Sequence, residues 1–108
     1  MYYTYMLRCL DNSIYTGITT GLERRIKEHI EKSDKCAKYT QSHQGKKLEI
    51  AWESENRALA TKLEYHLKTL TKARKEILIK NPEMLQEFLG EKINCEKYNR
   101  HIFSINNI

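Results

Sequence analysis

Cysteine is scarce and scattered in this chain. Cys9, Cys36 and Cys95 are the only three, an odd number set far apart, which argues against a disulfide framework and against a zinc ribbon. Long apolar runs are missing as well, so no segment reads as a membrane-spanning helix. The first residues, Met1-Tyr2-Tyr3-Thr4-Tyr5, lack the basic region and extended apolar stretch of a signal peptide. There is no internal repeat and no linker-like segment. Together these absences predict a reduced, cytoplasmic protein with no membrane association.

What is present fits one modest core. The 108 residues are 40% hydrophobic and 31% charged, the balance of a globular domain. The formal net charge is +5 and the pI about 9.1. An excess of lysine and arginine favours polyanionic partners, because these side chains neutralise phosphates and release counterions.

The pattern along the chain predicts the order β-β-α-β-α-α, an α/β domain with a small three-stranded, mainly antiparallel sheet flanked by helices. Residues 2–10 are rich in aromatics and read as a strand. The Asp11-Asn12-Ser13 cluster reads as a turn, and 14–19 as the second strand of a hairpin. Helical spacing of Leu22, Ile26 and Ile30 predicts a helix over 22–31, with Thr20 as N-cap and Glu23 completing a capping box. A polar, basic connection covers 32–47. Period-two alternation over 48–53 predicts a third strand that buries Leu48, Ile50 and Trp52. Two more helices follow, at about 56–70 and, after an N-cap at Thr71, at 72–80. Residues 83–90 read as a short helical piece, and the Asn-rich remainder as a frayed tail. The expected division is a domain over 1–82 and an extension over 83–108.

Chemistry concentrates between residues 3 and 29. Tyr5 and Tyr15 can share a sheet face only if the hairpin loop has an odd number of residues; a two-residue loop would send them to opposite faces. Amphipathic packing is the alternative for either tyrosine. At ~100° per residue, Arg25 and His29 stand ~40° apart on the border of the helix stripe. From there an arginine can grip a phosphate and a histidine can move a proton, although a solvated basic edge has the same spacing. Glu23, Arg24, Lys27 and Glu28 fall outside the stripe, with Arg24, Lys27 and Glu28 on the solvated face. Glu64 lies on the edge of the second helix. It can hold Mg²⁺ or Mn²⁺, or simply pair with Lys68 four residues on. Gly17 offers close backbone access within its strand.

The order and spacing of these pieces carry a more specific signal. Tyr3-Thr4-Tyr5, then Tyr15-Thr16-Gly17, then Leu22-Glu23-Arg24-Arg25 through His29, and finally Glu64, resemble the GIY-YIG nuclease domain of the UvrC repair nuclease and of homing endonucleases. The resemblance spans most of residues 2–80. The phrases Tyr15-Thr16-Gly17-Ile18-Thr19, Leu22-Glu23-Arg24-Arg25, Lys38-Tyr39-Thr40 and Leu63-Glu64 are most similar to the small, single-domain UPF0213 group. Tyr3 stands where the first motif usually has glycine, Thr4 where it has an apolar residue, and Thr16 where it has isoleucine or valine.

The resemblance implies a metal-dependent endonuclease that hydrolyses phosphodiester bonds in DNA, with structured or single-stranded DNA as substrate, in repair or recombination. It implies Tyr5 or Tyr15 as general base or water-positioning group and Arg25 on the scissile phosphate. His29 would orient water or a tyrosine hydroxyl, and Glu64 would hold one divalent cation, Mg²⁺ or Mn²⁺. Gly17, Lys35, Lys38, Tyr39, Lys46 and Lys47 are the expected nucleic-acid contacts, with Tyr39 equally suited to core packing. A monomer is expected. Two other readings stand beside this one: a non-catalytic nucleic-acid-binding module of the same fold, and a protein-interaction subunit of a nuclease complex.

Overall fold

A computed structural model describes residues 1–31 and 43–103. Lys35, Lys38 and Tyr39 lie outside the described residues. Strands β1 (Tyr2–Cys9), β2 (Ile14–Thr19), β3 (Gly45–Ser54) and β4 (Asn99–Arg100) form one sheet in the order β2-β1-β3-β4. Every pairing is antiparallel. Helices α1 (Leu22–Glu31), α2 (Arg57–Lys68), α3 (Lys72–Lys80) and α4 (Met84–Leu89) complete the described architecture, with a 3₁₀ turn over Cys95–Lys97. The expected α/β fold is present, with a fourth strand that the sequence pattern did not reveal.

Central strand β1 is buried on both faces, from Thr4 through Leu7. Its odd-numbered residues Tyr5 and Leu7 join Leu22 and Ile26 of α1, together with Leu48 and Ala51, in one cluster. Met6 points the other way, into a larger cluster with Ile50, Trp52, Leu63, Leu67, Leu78, Leu85 and Leu89. A strand clothed on both sides reads as a near-continuous apolar run, and the sequence of β1 shows it. Thr4 also faces this second side, where its hydroxyl donates to the carbonyl of Ala60 at 3.1 Å. The polar residue at a usually apolar position is thereby satisfied, and α2 is tied to the middle of the sheet.

The hairpin loop has three residues, Leu10-Asp11-Asn12, one position earlier than the turn cluster suggested. Asn12 N–H donates to the Cys9 carbonyl and Cys9 N–H to the Ser13 carbonyl, both at 2.9 Å. Asn12 sits at φ 70°, a left-handed conformation that asparagine tolerates. The odd count holds, so Tyr5 pairs with Gly17 and Leu7 with Tyr15.

Helix α1 has the predicted limits, but Thr20 is not its cap. The Gly21 carbonyl accepts from Arg25 N–H at 3.0 Å, and Thr19 Oγ1 accepts from Gly21 N–H at 3.1 Å. Glu23 pairs with Lys27 at 3.8 Å. The caps at Asn56 and Thr71 accept from Leu59 and Arg74 N–H.

Strand β3 departs from simple alternation. Met6 pairs with Ile50 but Leu7 with Leu48, leaving Glu49 as an extra residue in a bulge. Leu48 therefore faces the α1 side while Ile50 and Trp52 face the other. All three are buried as expected, on two faces rather than one. The bulge also brings Glu49 to Arg8. The Arg8 Nε is 3.1 Å from Glu49 Oε2 and its Nη1 is 2.7 Å from Glu76 Oε2, so one guanidinium links β1, β3 and α3.

The chain beyond Gly90 is ordered on the domain as far as residue 103, contrary to the expected frayed tail. Tyr98 is 7% exposed and its hydroxyl donates to the Leu59 carbonyl at 2.6 Å. Asn99–Arg100 pairs with Trp52 and Glu53 of β3, and Phe103 packs beside Tyr3 in the α1-side cluster. Long-range packing fixes this segment, which its local composition could not disclose. Tyr98→Phe should cost about 1 kcal/mol by leaving the Leu59 carbonyl unpaired, and Tyr98→Ala about 3 kcal/mol. Equilibrium urea unfolding measures both; a cost below ~0.5 kcal/mol for the alanine variant would mean that the segment contributes nothing to the fold.

Candidate active site

The shared face of the hairpin gathers aromatic rings under α1. Ring centroids of Tyr5 and Tyr15 lie 6.1 Å apart, Tyr5 and His29 5.9 Å, and Tyr15 and His29 5.3 Å. Tyr5 Oη and His29 Nε2 are hydrogen-bonded at 2.8 Å, a buried contact between a strand and a helix 24 residues further on. Tyr5 is 1% exposed and Tyr15 half-buried, so Tyr15 is the tyrosine open to a substrate.

Two glycines create the space for this cluster. A Cβ on Gly17 would stand 2.7 Å from Tyr5 Oη and 2.8 Å from Tyr15 Cε2. Gly17 is itself buried. The close approach it permits is therefore to the two tyrosine rings. A Cβ on Gly45, at the start of β3, would lie 2.9 Å from Leu7 Cδ2 and 3.3 Å from the backbone carbon of His29. The neighbouring Gln44 donates its side-chain amide to the Ile30 carbonyl at 2.7 Å. Gln44 and Gly45 thus hold the C-terminal turn of α1 close to the sheet. The sequence pattern left both in a featureless basic connection.

His29 lies deeper than a border position. It is fully buried, and burial followed by the Arg25 charge lowers its pKa to about 4. The ring is neutral at physiological pH. Burial is also the main reason that both tyrosine hydroxyls are held above their usual pKa, with the nearby Glu64 charge adding to it and the Arg25 charge opposing it. Glu64 is thereby brought into the electrostatic range of the hairpin tyrosines, from a separate helix.

Charge sits at the rim. The Arg25 side chain is 23% exposed, with Nη1 3.0 Å from Glu28 Oε1. Burial works against its cation, but hydrogen bonds to Glu28 and to the Tyr5 hydroxyl hold the guanidinium above its usual pKa. Glu28, assigned to the solvated face by spacing alone, is only 13% exposed and pairs with both Arg25 and Arg24. Its i,i+3 and i,i+4 relation to two arginines was the available signal. Glu64 is 20% exposed and pairs with Lys68 Nζ at 3.4 Å.

Among the described residues no group of three or more His, Cys, Asp or Glu side chains is arranged to enclose a metal. Glu64 is instead a single, partly exposed hard-oxygen donor. That chemistry fits an ion of the Mg²⁺ or Mn²⁺ class, which needs few protein ligands and completes its shell with water and phosphate oxygens. Lys46 and Lys47 lie apart from the tyrosines, exposed at the start of β3 beside the hairpin loop. No helix among the described residues is long and apolar enough to cross a membrane.

Comparison with known proteins places this geometry in a family. The model of the GIY-YIG catalytic domain matches residues 1–77. UPF0213 protein FN1575 of Fusobacterium nucleatum is 44% identical over 82 residues, covering 76% of this chain and 80% of the relative. UPF0213 protein CPE1444 of Clostridium perfringens is 40% identical over 95 residues, covering 87% and 99%. UPF0213 protein YhbQ of Salmonella arizonae is 38% identical over 89 residues, covering 82% and 87%. The solution NMR structure of UPF0213 protein BH0048 from Bacillus halodurans shares 38% identity, with a TM-score of 0.47, and covers 74% of this chain and 84% of that one. Matches of this extent leave one assignment: the chain belongs to the GIY-YIG nuclease family, within its UPF0213 group.

Proposed function

We propose that the protein is a divalent-metal-dependent endonuclease that hydrolyses phosphodiester bonds in DNA, acting on structured or single-stranded DNA in repair or recombination. The observation that carries this reading is the convergence of Tyr5, Tyr15 and His29 between a charged arginine and a carboxylate from another helix. It joins an anion grip, a proton path and a cation ligand in one place.

Arg25 is the grip. Its guanidinium, braced by Glu28, binds non-bridging oxygens of the scissile phosphate and stabilises the charge that builds there in the transition state. Tyr15, the accessible tyrosine, orients the attacking water. Tyr5 Oη is hydrogen-bonded to His29 Nε2, and the Tyr15 ring stands against both residues, its centroid 6.1 Å from that of Tyr5 and 5.3 Å from that of His29. With the imidazole proton on Nδ1 and the Tyr15 hydroxyl turned to donate to Tyr5, a proton leaving the water passes to Tyr15 oxygen as the Tyr15 proton passes to Tyr5 and the Tyr5 proton to His29. Neither tyrosine has to become an anion, a state that burial disfavours. A phosphate paired with Arg25 also offsets the charge that lowers the basicity of His29, so substrate binding itself prepares the proton acceptor.

Glu64 would hold the divalent cation, which would supply Lewis-acid neutralisation of the charge that builds as the phosphodiester breaks. Gly17 keeps the two tyrosines at their spacing, and Gly45 keeps His29 within reach of Tyr5.

Arg25→Ala and Glu64→Ala should each lower the rate of cleavage of branched and single-stranded DNA with Mg²⁺ or Mn²⁺ by at least ~100-fold, with the fold intact by circular dichroism. Wild-type rates in both variants would remove the site. Gly17→Ala should lower the rate at least ~10-fold by pushing the tyrosines apart. Stability reports on His29 separately. Unfolded, it takes up a proton near its ordinary pKa of 6.5; folded, it does so only near 4. Its contribution is therefore complete above pH 6.5 and drains away as pH falls toward 4, by about 3 kcal/mol. Urea unfolding at neutral and acid pH should show this extra loss in wild type and not in His29→Gln; equal losses would mean that His29 is not buried as a neutral ring.

A further inference from the structure

An open cavity of about 580 Å³ lies at the hairpin end of the sheet, separate from the tyrosine cluster. Four cations line it: Arg8 from β1, Lys46 and Lys47 from β3, and Lys80 from the end of α3. Two carboxylates, Glu49 and Glu76, share it. Four positive and two negative groups leave a net charge of +2. Both carboxylates are already engaged by Arg8, at 3.0 Å for Glu49 and 2.7 Å for Glu76. Lys47 leans on Glu49 at 3.4 Å, while Lys46 and Lys80 make no ion pair among the described residues. Three lysines from two elements border one cavity whose two carboxylates are already paired with Arg8, which leaves an excess of positive charge for an anion to offset.

We infer that this cavity is a second phosphate-binding subsite, which holds the backbone of a nucleic-acid strand at a distance from the bond being cut. Lys46 and Lys80 are its free-moving contacts. Arg8, only 11% exposed and paired with two carboxylates, is the fixed floor, and the positive charge that meets a phosphate comes from the lysines. The inference rests on the nuclease reading and adds a requirement to it. Tyr5, in the tyrosine cluster, and Cys9, on the cavity wall, are four strand residues apart, about 13 Å. An unstacked single strand spaces its phosphates at about twice the ~3.4 Å rise of duplex DNA, so that span is about two nucleotides. The substrate class is thus a strand that continues at least about two nucleotides past the scissile phosphodiester on one side, rather than one that ends at it.

The test uses the full chain carrying Glu64→Ala, so that bound strands are not cut, and single-stranded oligodeoxythymidylates of increasing length. Affinity should step up when the strand becomes long enough to reach the cavity. Adding Lys46→Gln and Lys80→Gln should abolish that step and lower the slope of log affinity against log salt by about 1.4, two single-strand phosphate contacts' worth. Both lysines are exposed, so the variant folds, which a thermal melt verifies. An unchanged slope and an unchanged length step, with binding still weakened by Arg25→Ala, would overturn the second subsite and leave the nuclease reading standing. No salt-sensitive binding to any oligonucleotide, with or without the lysines, would overturn both.

Discussion

The pairing of Tyr5 with Gly17 is the constraint on which the rest of the site depends. It is set by a three-residue loop whose last member, Asn12, turns left-handed. One residue more or fewer would rotate Tyr15 to the α2 side of the sheet, because alternate strand residues face opposite ways. Given that register, two missing side chains complete the arrangement. Gly17 leaves the volume into which both tyrosine rings project, and Gly45 leaves the gap into which the end of α1 settles. The aromatic cluster is therefore defined as much by absent Cβ atoms as by the rings themselves.

Polarity is graded from floor to rim. Tyr5 and His29 are buried, and burial favours their neutral forms, whereas Arg25 and Glu64 stand where water still reaches them. A neutral floor avoids the desolvation cost that a buried ion would carry. A charged rim meets a phosphate while remaining partly hydrated. The opposite end of the sheet solves its own charge problem differently: Arg8 is nearly enclosed, and two carboxylates from different elements satisfy its guanidinium. One face of the sheet thus puts ions at its edge, and the other uses an ion to join strands to a helix.

Local signals in the sequence were read well. The α1 stripe gave the limits of that helix, the Thr71 cap placed α3, and the odd-count loop was identified as the condition for a shared tyrosine face. Features that depend on distant partners were not visible. The depth of His29 follows from Gly45 and the Gln44 amide, which enter from another strand. The Glu49 bulge, which splits Leu48 from Ile50 and Trp52, has no mark in the alternation of β3. The ordering of residues 91–103 comes from Tyr98 and its bond to Leu59, which no composition rule foresees. Two departures from the family motif also find their reasons in space. Thr4 bonds to α2, and Tyr3 stacks edge-on with His101 at 5.0 Å. Thr16 has no such account: its hydroxyl is buried with no hydrogen-bond partner among the described residues.

Short as it is, β4 has a consequence for the solution behaviour of the protein. Strand β3 runs ten residues, and its side away from β1 is where another strand could add. Unpaired strand edges invite intermolecular pairing and aggregation. By closing the edge at Trp52 and Glu53, and by fastening His101 N–H to the Ala51 carbonyl at 2.9 Å, the C-terminal segment acts as a stopper on that edge. The C-terminal segment is then a cover for that strand edge as well as part of the packing.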